Sequence, residues 1–263
     1  MNPVNSVASA DGTTIAFEKL GAGEPIILVG AALCDRNATR PLAEQLARHR
    51  TVLNYDRRGR GDSGDTQPYA VEREIEDIAA LITEAGGTAS VYGHSSGAGL
   101  ALHAAAHGLG ISELVLHEPP FEADDEEVRR RSEKDAGKIA ELLAQDRRED
   151  ALELMLSGTG MPPEMVRQLS TDPAVLAMAH TLLYDFAAMH DAGRDGRSPE
   201  QQAGDVRIPT LVLAGEKSPQ WMIDVGRRVA AAMPEGRHQV LAGQDHFVPP
   251  EVLAPVLTEF LTG

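Results

Sequence analysis

The sequence predicts an α/β fold: a mostly parallel, doubly wound sheet carrying one helical insertion. Three observations lead there. Short apolar runs of strand character alternate with helical stretches, the rhythm of repeated β–α units. Most of these runs are continuously apolar, as strands covered on both faces are. The rhythm then stops between about Pro120 and Val206, where no strand pattern appears.

Residues 13–19 alternate apolar and polar side chains, which predicts an antiparallel edge strand. Pro25–Val29 is an unbroken apolar run, and residues 51–55, 89–92, 113–117 and 210–214 share its character, with 237–241 as a last strand. Helices are expected over 41–48, 71–84, 97–107 and 223–233. Within the insertion, residues 122–134 set Asp125, Glu126 and Glu127 four positions before Arg129, Arg130 and Arg131. That spacing makes stacked ion pairs on a solvated helix face, with the acids at the end the helix dipole favours. A second amphipathic helix is expected over 138–156. Asp172-Pro173 is a good cap and first-turn pair opening the apolar stretch 174–189, which needs cover on more than one side. An all-helical layer over the sheet's C-terminal edge would supply that cover and act as a lid. Residues 191–205 are polar and return the chain. The expected organisation is a core of residues 1–119 and 206–263 with a helical cap of residues 120–205.

A chain of 263 residues, 42% hydrophobic and 24% charged, can bury one substantial domain. With aromatics at only 4%, that core is aliphatic. The excess of 40 acidic over 24 basic residues, a formal charge of -16, argues against nucleic acid and anionic membrane surfaces as partners. No signal segment or membrane-length apolar run is seen, so a cytoplasmic protein is expected. The single Cys34 forms no internal disulfide, and no metal or organic cofactor is implied.

Gly93-His94-Ser95-Ser96-Gly97 joins the strand Ser90-Val91-Tyr92 directly to a helix opening at Gly97. A turn this tight strains the serine backbone and exposes its hydroxyl, while small flanking residues allow close backbone approach. The helix N-terminus points its amides at the same place, where negative charge would develop. A phosphate-binding turn is the rival reading, but neither a Walker lysine nor G-x-G-x-x-G spacing is present.

Tyr55-Asp56-Arg57-Arg58-Gly59-Arg60-Gly61-Asp62-Ser63 resembles the Y-D-x-R-G-x-G-x-S segment of α/β-hydrolases, and Gly243-Gln244-Asp245-His246 resembles their G-x-x-H loop. Together with the Ser95 turn, this likeness runs from about residue 13 to 261. It implies the α/β-hydrolase fold, with Ser95 as nucleophile and residues 56–63 in a structural role.

A serine nucleophile needs a base, and the base needs an orienting acid. His246 follows the last strand in a loop, whereas His103, His107, His180 and His190 fall on predicted helices; His117 is a minor rival. Where the superfamily usually supplies its aspartate, after residues 211–217, this chain has Ser218. Glu118, at the end of the strand after the Ser95 helix, is the preferred acid, with Asp245, Asp224 and Glu216 as rivals. His117-Glu118 together with the Ser95 turn resembles the zearalenone-lactonase group, whose acid is a glutamate after this strand. Backbone amides of Ser96 and Ala32, with Ala31 as alternative, are the expected oxyanion hole. Cys34 lacks both a turn and a base of its own.

The function expected is a cofactor-independent serine hydrolase (Ser95, His246, Glu118) of moderately hydrophobic esters or lactones, with Tyr184 and the 174–189 segment shaping an apolar pocket. C–C hydrolases and perhydrolases use the same residues. Epoxide hydrolases and dehalogenases need an aspartate in place of Ser95. A binding protein on a hydrolase scaffold is the reading that Ser218 motivates.

Overall fold

The computed structural model describes residues 3–121, 126–159, 161–189 and 196–261. Its strands are β1 (Val4–Ala8), β2 (Thr14–Gly21), β3 (Pro25–Val29), β4 (Thr51–Tyr55), β5 (Ala89–His94), β6 (Ile111–His117), β7 (Thr210–Gly215) and β8 (Gly236–Leu241). They form one sheet in the order β1-β2-β4-β3-β5-β6-β7-β8. β1 and β2 pair antiparallel, as do β2 and β4, and every later pairing is parallel. The predicted strand at residues 13–19 is therefore antiparallel, but it is not the edge. β1 lies outside it, largely exposed and lacking the apolar signal that marks a covered strand.

Alternation along each strand builds the two faces. Ile27 and Val29 join the cluster formed with α2 (Val71–Glu84), α3 (Ser96–Ala106) and α10 (Gln220–Ala232). Ile26 and Leu28 point the other way, into the cluster with α1 (Arg36–Leu46) and α11 (Pro250–Leu261). α1 starts before the predicted Pro41 because Asp35 caps it, its carboxylate accepting the Asn37 N–H at 2.9 Å. α11 was not anticipated, yet it buries Leu253, Leu257 and Leu261, at about 1.5–3 kcal/mol for each leucine taken from water.

Between β6 and β7 the described chain is helical: α4 (Glu126–Ala144), α5 (Arg148–Ser157), α6 (Pro163–Ser170), α7 (Pro173–Met178), a 3₁₀ turn (Ala179–Thr181), α8 (Leu182–Met189) and α9 (Pro199–Ala203). Residues 174–189 are thus two helices around a tight turn rather than one. Ile139, Leu152, Leu156, Ala179 and Leu182 gather into a separate apolar cluster. The acid–arginine spacing expected over 122–134 involves Asp125 and the side chains of Glu126 and Arg129, which lie outside the described residues, as do His190 and residues 191–195. Among the described residues, no helix is long and apolar enough to cross a membrane. Because β3 to β8 run the same way, the segments after β3, β5, β6, β7 and β8 all emerge at one sheet edge, where ligands bind in folds of this kind.

Candidate active site

β5 ends at His94 and α3 begins at Ser96, leaving Ser95 alone at φ 54°, ψ -122°. A residue with a Cβ rarely adopts this conformation, and it persists only where the surroundings enforce it. A Cβ on Gly93 would lie 2.4 Å from the Gly97 carbonyl, and one on Gly97 would lie 2.4 Å from that of Val29. The motif's glycines are therefore required by close packing between β5, α3 and the end of β3. The Ser95 N–H donates to the His117 carbonyl (2.9 Å), which seats the half-buried serine beside the end of β6.

Glu118 follows directly, itself at φ 50° and fully buried. Its Oε2 accepts from His246 Nδ1–H at 2.5 Å. Its Oε1 accepts from the Gly215 N–H (2.6 Å) and the Ser218 hydroxyl (2.5 Å). Burial pushes the Glu118 carboxyl pKa up, but the bonds from His246, Ser218 and Gly215 outweigh it and hold the pKa below the ordinary value. Ser218 occupies the position where an aspartate was sought, and here it is a donor to the carboxylate supplied by β6. The rival acids lie elsewhere. Asp245 accepts the Phe247 N–H, Asp224 pairs with Arg227, and Glu216 accepts the Gly243 N–H.

His246 is half-buried in the segment between β8 and α11. In the neutral ring that gives Nδ1–H to Glu118, Nε2 is the acceptor. His94 stacks between His117 (centroids 4.6 Å) and His246 (4.7 Å), and its Nε2–H donates to the His246 carbonyl at 3.0 Å. Burial, reinforced by His117 and His246, holds the His94 pKa well below the ordinary value. His117 is buried, shares a hydrogen bond with the Tyr92 hydroxyl (2.8 Å), and is pushed down to about 3, mainly by burial. Both are neutral imidazoles near pH 7, which suits packing and not proton transfer. Phe247, 62% exposed, sets its edge against His246 at 5.1 Å.

Ala32 lies in the segment after β3, and Ser96 is the first residue of α3, so the Ser96 amide has no acceptor within the helix. The contact of Gly97 with Val29 and Gly30 brings that segment against the serine turn. Burial raises the Cys34 thiol pKa, against any role as a thiolate. Among the described residues, no group of three or more His, Cys, Asp or Glu side chains could hold a metal ion.

A second buried constellation adjoins this one. Arg57 is clamped by Glu74 through two 2.7 Å bonds, and both Arg57 (2.7 Å) and Arg60 (2.8 Å) bond Asp185 of α8. Burial raises the Asp185 pKa, yet Arg60 and Arg57 hold it below its ordinary value. Residues 56–63 do serve structure, as Arg58 with Asp77 and the Asp56 pair with Arg36 illustrate. Sequence reasoning missed how far Arg57 and Arg60 reach into the site. The available signal was Asp185, a single acid inside the apolar run 174–189, which needs a buried cation. Tyr184 corrects another expectation. It is buried, stacked on Tyr69 at 3.8 Å, and donates to Asp65 at 2.8 Å, so it fastens α8 to the segment after β4 instead of facing a pocket.

A model of the alpha/beta hydrolase family matches residues 26–256, and the chain belongs to that family. An alpha/beta hydrolase from Sphaerobacter thermophilus DSM 20745 is 47% identical, with a TM-score of 0.87 over 98% of this chain and 100% of that one. An esterase from Exiguobacterium antarcticum, 20% identical, has the same fold, at a TM-score of 0.78 over 100% of both chains. The uncharacterized hydrolase YraK of Bacillus subtilis (strain 168) is 31% identical over 120 residues, 44% of this chain and 44% of that protein.

Proposed function

We propose that the protein is a serine hydrolase of carboxylic esters or lactones, working through an acyl-enzyme on Ser95. The observation that carries this reading is the Glu118–His246 hydrogen bond, with the carboxylate held at its other oxygen by Gly215 and Ser218, beside a serine in a strained strand-to-helix turn.

In this scheme His246 Nε2 takes the Ser95 hydroxyl proton as Oγ attacks the substrate carbonyl, and Glu118 stabilises the imidazolium that forms. The oxyanion is received by the amides of Ala32 and Ser96, each such donor being worth about 3–4 kcal/mol in the transition state. The tetrahedral intermediate expels the alcohol, which takes the proton from His246. Water, activated by the same imidazole, then releases the acid. Residues 120–205 act as a cap bordering the acyl pocket, and a small, moderately hydrophobic substrate is the class proposed. An esterase shares the fold at low identity, which is compatible with this chemistry without specifying it. Ser218 speaks for catalysis over binding alone, because it supports the carboxylate it was thought to replace.

Ser95→Ala tests the scheme. Turnover of p-nitrophenyl butyrate should fall by at least about 10⁴-fold with an unchanged circular dichroism spectrum, and a fluorophosphonate should label Ser95 in the unaltered enzyme. Activity retained by Ser95→Ala would overturn it.

A further inference from the structure

We propose that Asp185, on the insertion, sets the geometry of the oxyanion hole through Arg57 and Arg60. The inference rests on the hydrolase reading above and makes Asp185 a positioning residue for it.

The Asp185 carboxylate is buried, and four bonds converge on it. Oδ1 accepts from Arg57 Nη1 (2.7 Å), Arg60 Nη2 (2.8 Å) and the Ser96 hydroxyl (2.8 Å), while Oδ2 accepts again from Arg60 Nη2 (2.8 Å). The guanidiniums reach onward to the segment after β3. Arg60 Nη1 donates to the Ala31 carbonyl at 2.7 Å, and Arg57 Nη1 to the Gly30 carbonyl at 3.4 Å and to Ser96 Oγ at 3.2 Å.

The geometry of the peptide bond turns these grips into aim. In a trans peptide the C=O and the following N–H share a plane and point in opposite directions. The Ala31 carbonyl and the Ala32 N–H belong to one such plane. With that carbonyl tied to Arg60, the Ala32 N–H is directed to the other side, away from the buried guanidinium. The second donor residue, Ser96, is tied through its side chain to the same carboxylate. The Cys34 N–H also donates to the Ala31 carbonyl (3.3 Å), so Arg60 reinforces a local turn, and the side-chain anchor that both halves of the hole share comes from α8. The two arginines are not equivalent. Arg57 keeps Glu74 if Asp185 is lost, whereas Asp185 is the carboxylate paired with Arg60 among the described residues.

The test is Asp185→Asn assayed with p-nitrophenyl butyrate, its active sites titrated. We expect kcat to fall at least about tenfold, in line with misaiming one oxyanion donor, with KM within about twofold. The midpoint of the pH–rate profile should stay put, because Glu118 and His246 are untouched. A crystal structure of the variant should have the Ala31–Ala32 peptide turned. Arg60→Lys, which keeps the charge but loses the fork that bridges two acceptors, should move kcat the same way. A folded Asp185→Asn with a lowered melting temperature but unchanged kcat per titrated site, or with the Ala31–Ala32 peptide unmoved, overturns the proposal. If Asp185→Asn does not fold, Ser96→Ala deletes only the hydroxyl tie and keeps the backbone amide. A several-fold loss of kcat at constant KM supports the inference, and no change overturns it. Turnover surviving in Ser95→Ala would defeat the nucleophile reading instead, and the variant's crystal structure would still decide whether Asp185 holds the peptide.

Discussion

Glu118 and Asp185 are both carboxylates withdrawn from water beside the Ser95–Ser96 turn, and both are held below their ordinary pKa, but they face different cations. Glu118 meets the imidazole of His246, and Asp185 meets the guanidiniums of Arg57 and Arg60. An imidazole gains and loses its proton near neutral pH, while a guanidinium never does so in a protein. In the proposed scheme the first pair changes charge within a reaction cycle, and the second is a fixed frame. Under that scheme, burial and hydrogen-bond number do not separate a chemical carboxylate from a structural one; the proton affinity of the partner does.

The contrast is most sharply tested at Glu118. Glu118→Gln should lower kcat by about 10³–10⁴-fold in initial-rate assays, and a loss under tenfold would erase the distinction. Next comes Asp185→Ala, expected to lower unfolding free energy by about 3–5 kcal/mol in urea titrations because two buried guanidiniums lose their shared partner. A loss below about 1 kcal/mol would mean that the frame is not one. An effect of comparable size is expected from pH. His94 and His117 have depressed pKa values, His117 down to about 3, so their contribution is intact above the free histidine value of about 6.5. It is lost as pH falls below that toward their folded values, with a slope of up to about 1.4 kcal/mol per pH unit for each. Asp185 is also depressed, so its contribution is lost only below the ordinary carboxylate range. Urea titrations at pH 7 and pH 5 should therefore differ through the histidines, and equal stabilities would contradict their burial as neutral rings. The smallest change is Ser218→Ala, which removes one donor to Glu118. It should lower kcat/KM about fivefold, from roughly 1 kcal/mol of hydrogen bond.

Much of the parallel sheet was legible because its strands are buried on both faces and so carry an apolar run. Pro25–Val29 and Thr51–Tyr55 match their predicted limits. β1 escaped notice for the converse reason: its VNSVA segment is mostly exposed and pairs only at an edge. The members of the proposed triad could be placed from strand order, since Glu118 and His246 each follow a strand at the edge that Ser95 occupies. Ser218 could be located but not understood, because its meaning depends on a carboxylate one hundred positions earlier. The Arg57–Asp185 contact spans 128 positions and has no local periodicity to announce it. Only the isolated acid in an apolar helix hinted that a buried cation was needed.

α8 is fastened to the core by more than Asp185. Tyr184 stacks on Tyr69, and His103 of α3 donates from Nε2 to the Ala188 carbonyl at 2.8 Å. This bears on how the molecule can be recombined. Residues 120–205 are not a cassette to be exchanged whole between hydrolases. A chimera taking its insertion from another source would strand Arg60 unless the graft brought an acid to position 185. Even a seam ahead of α8 would divide an apolar cluster, because Leu182 of α8 packs with Ile139, Leu152 and Leu156 of α4 and α5.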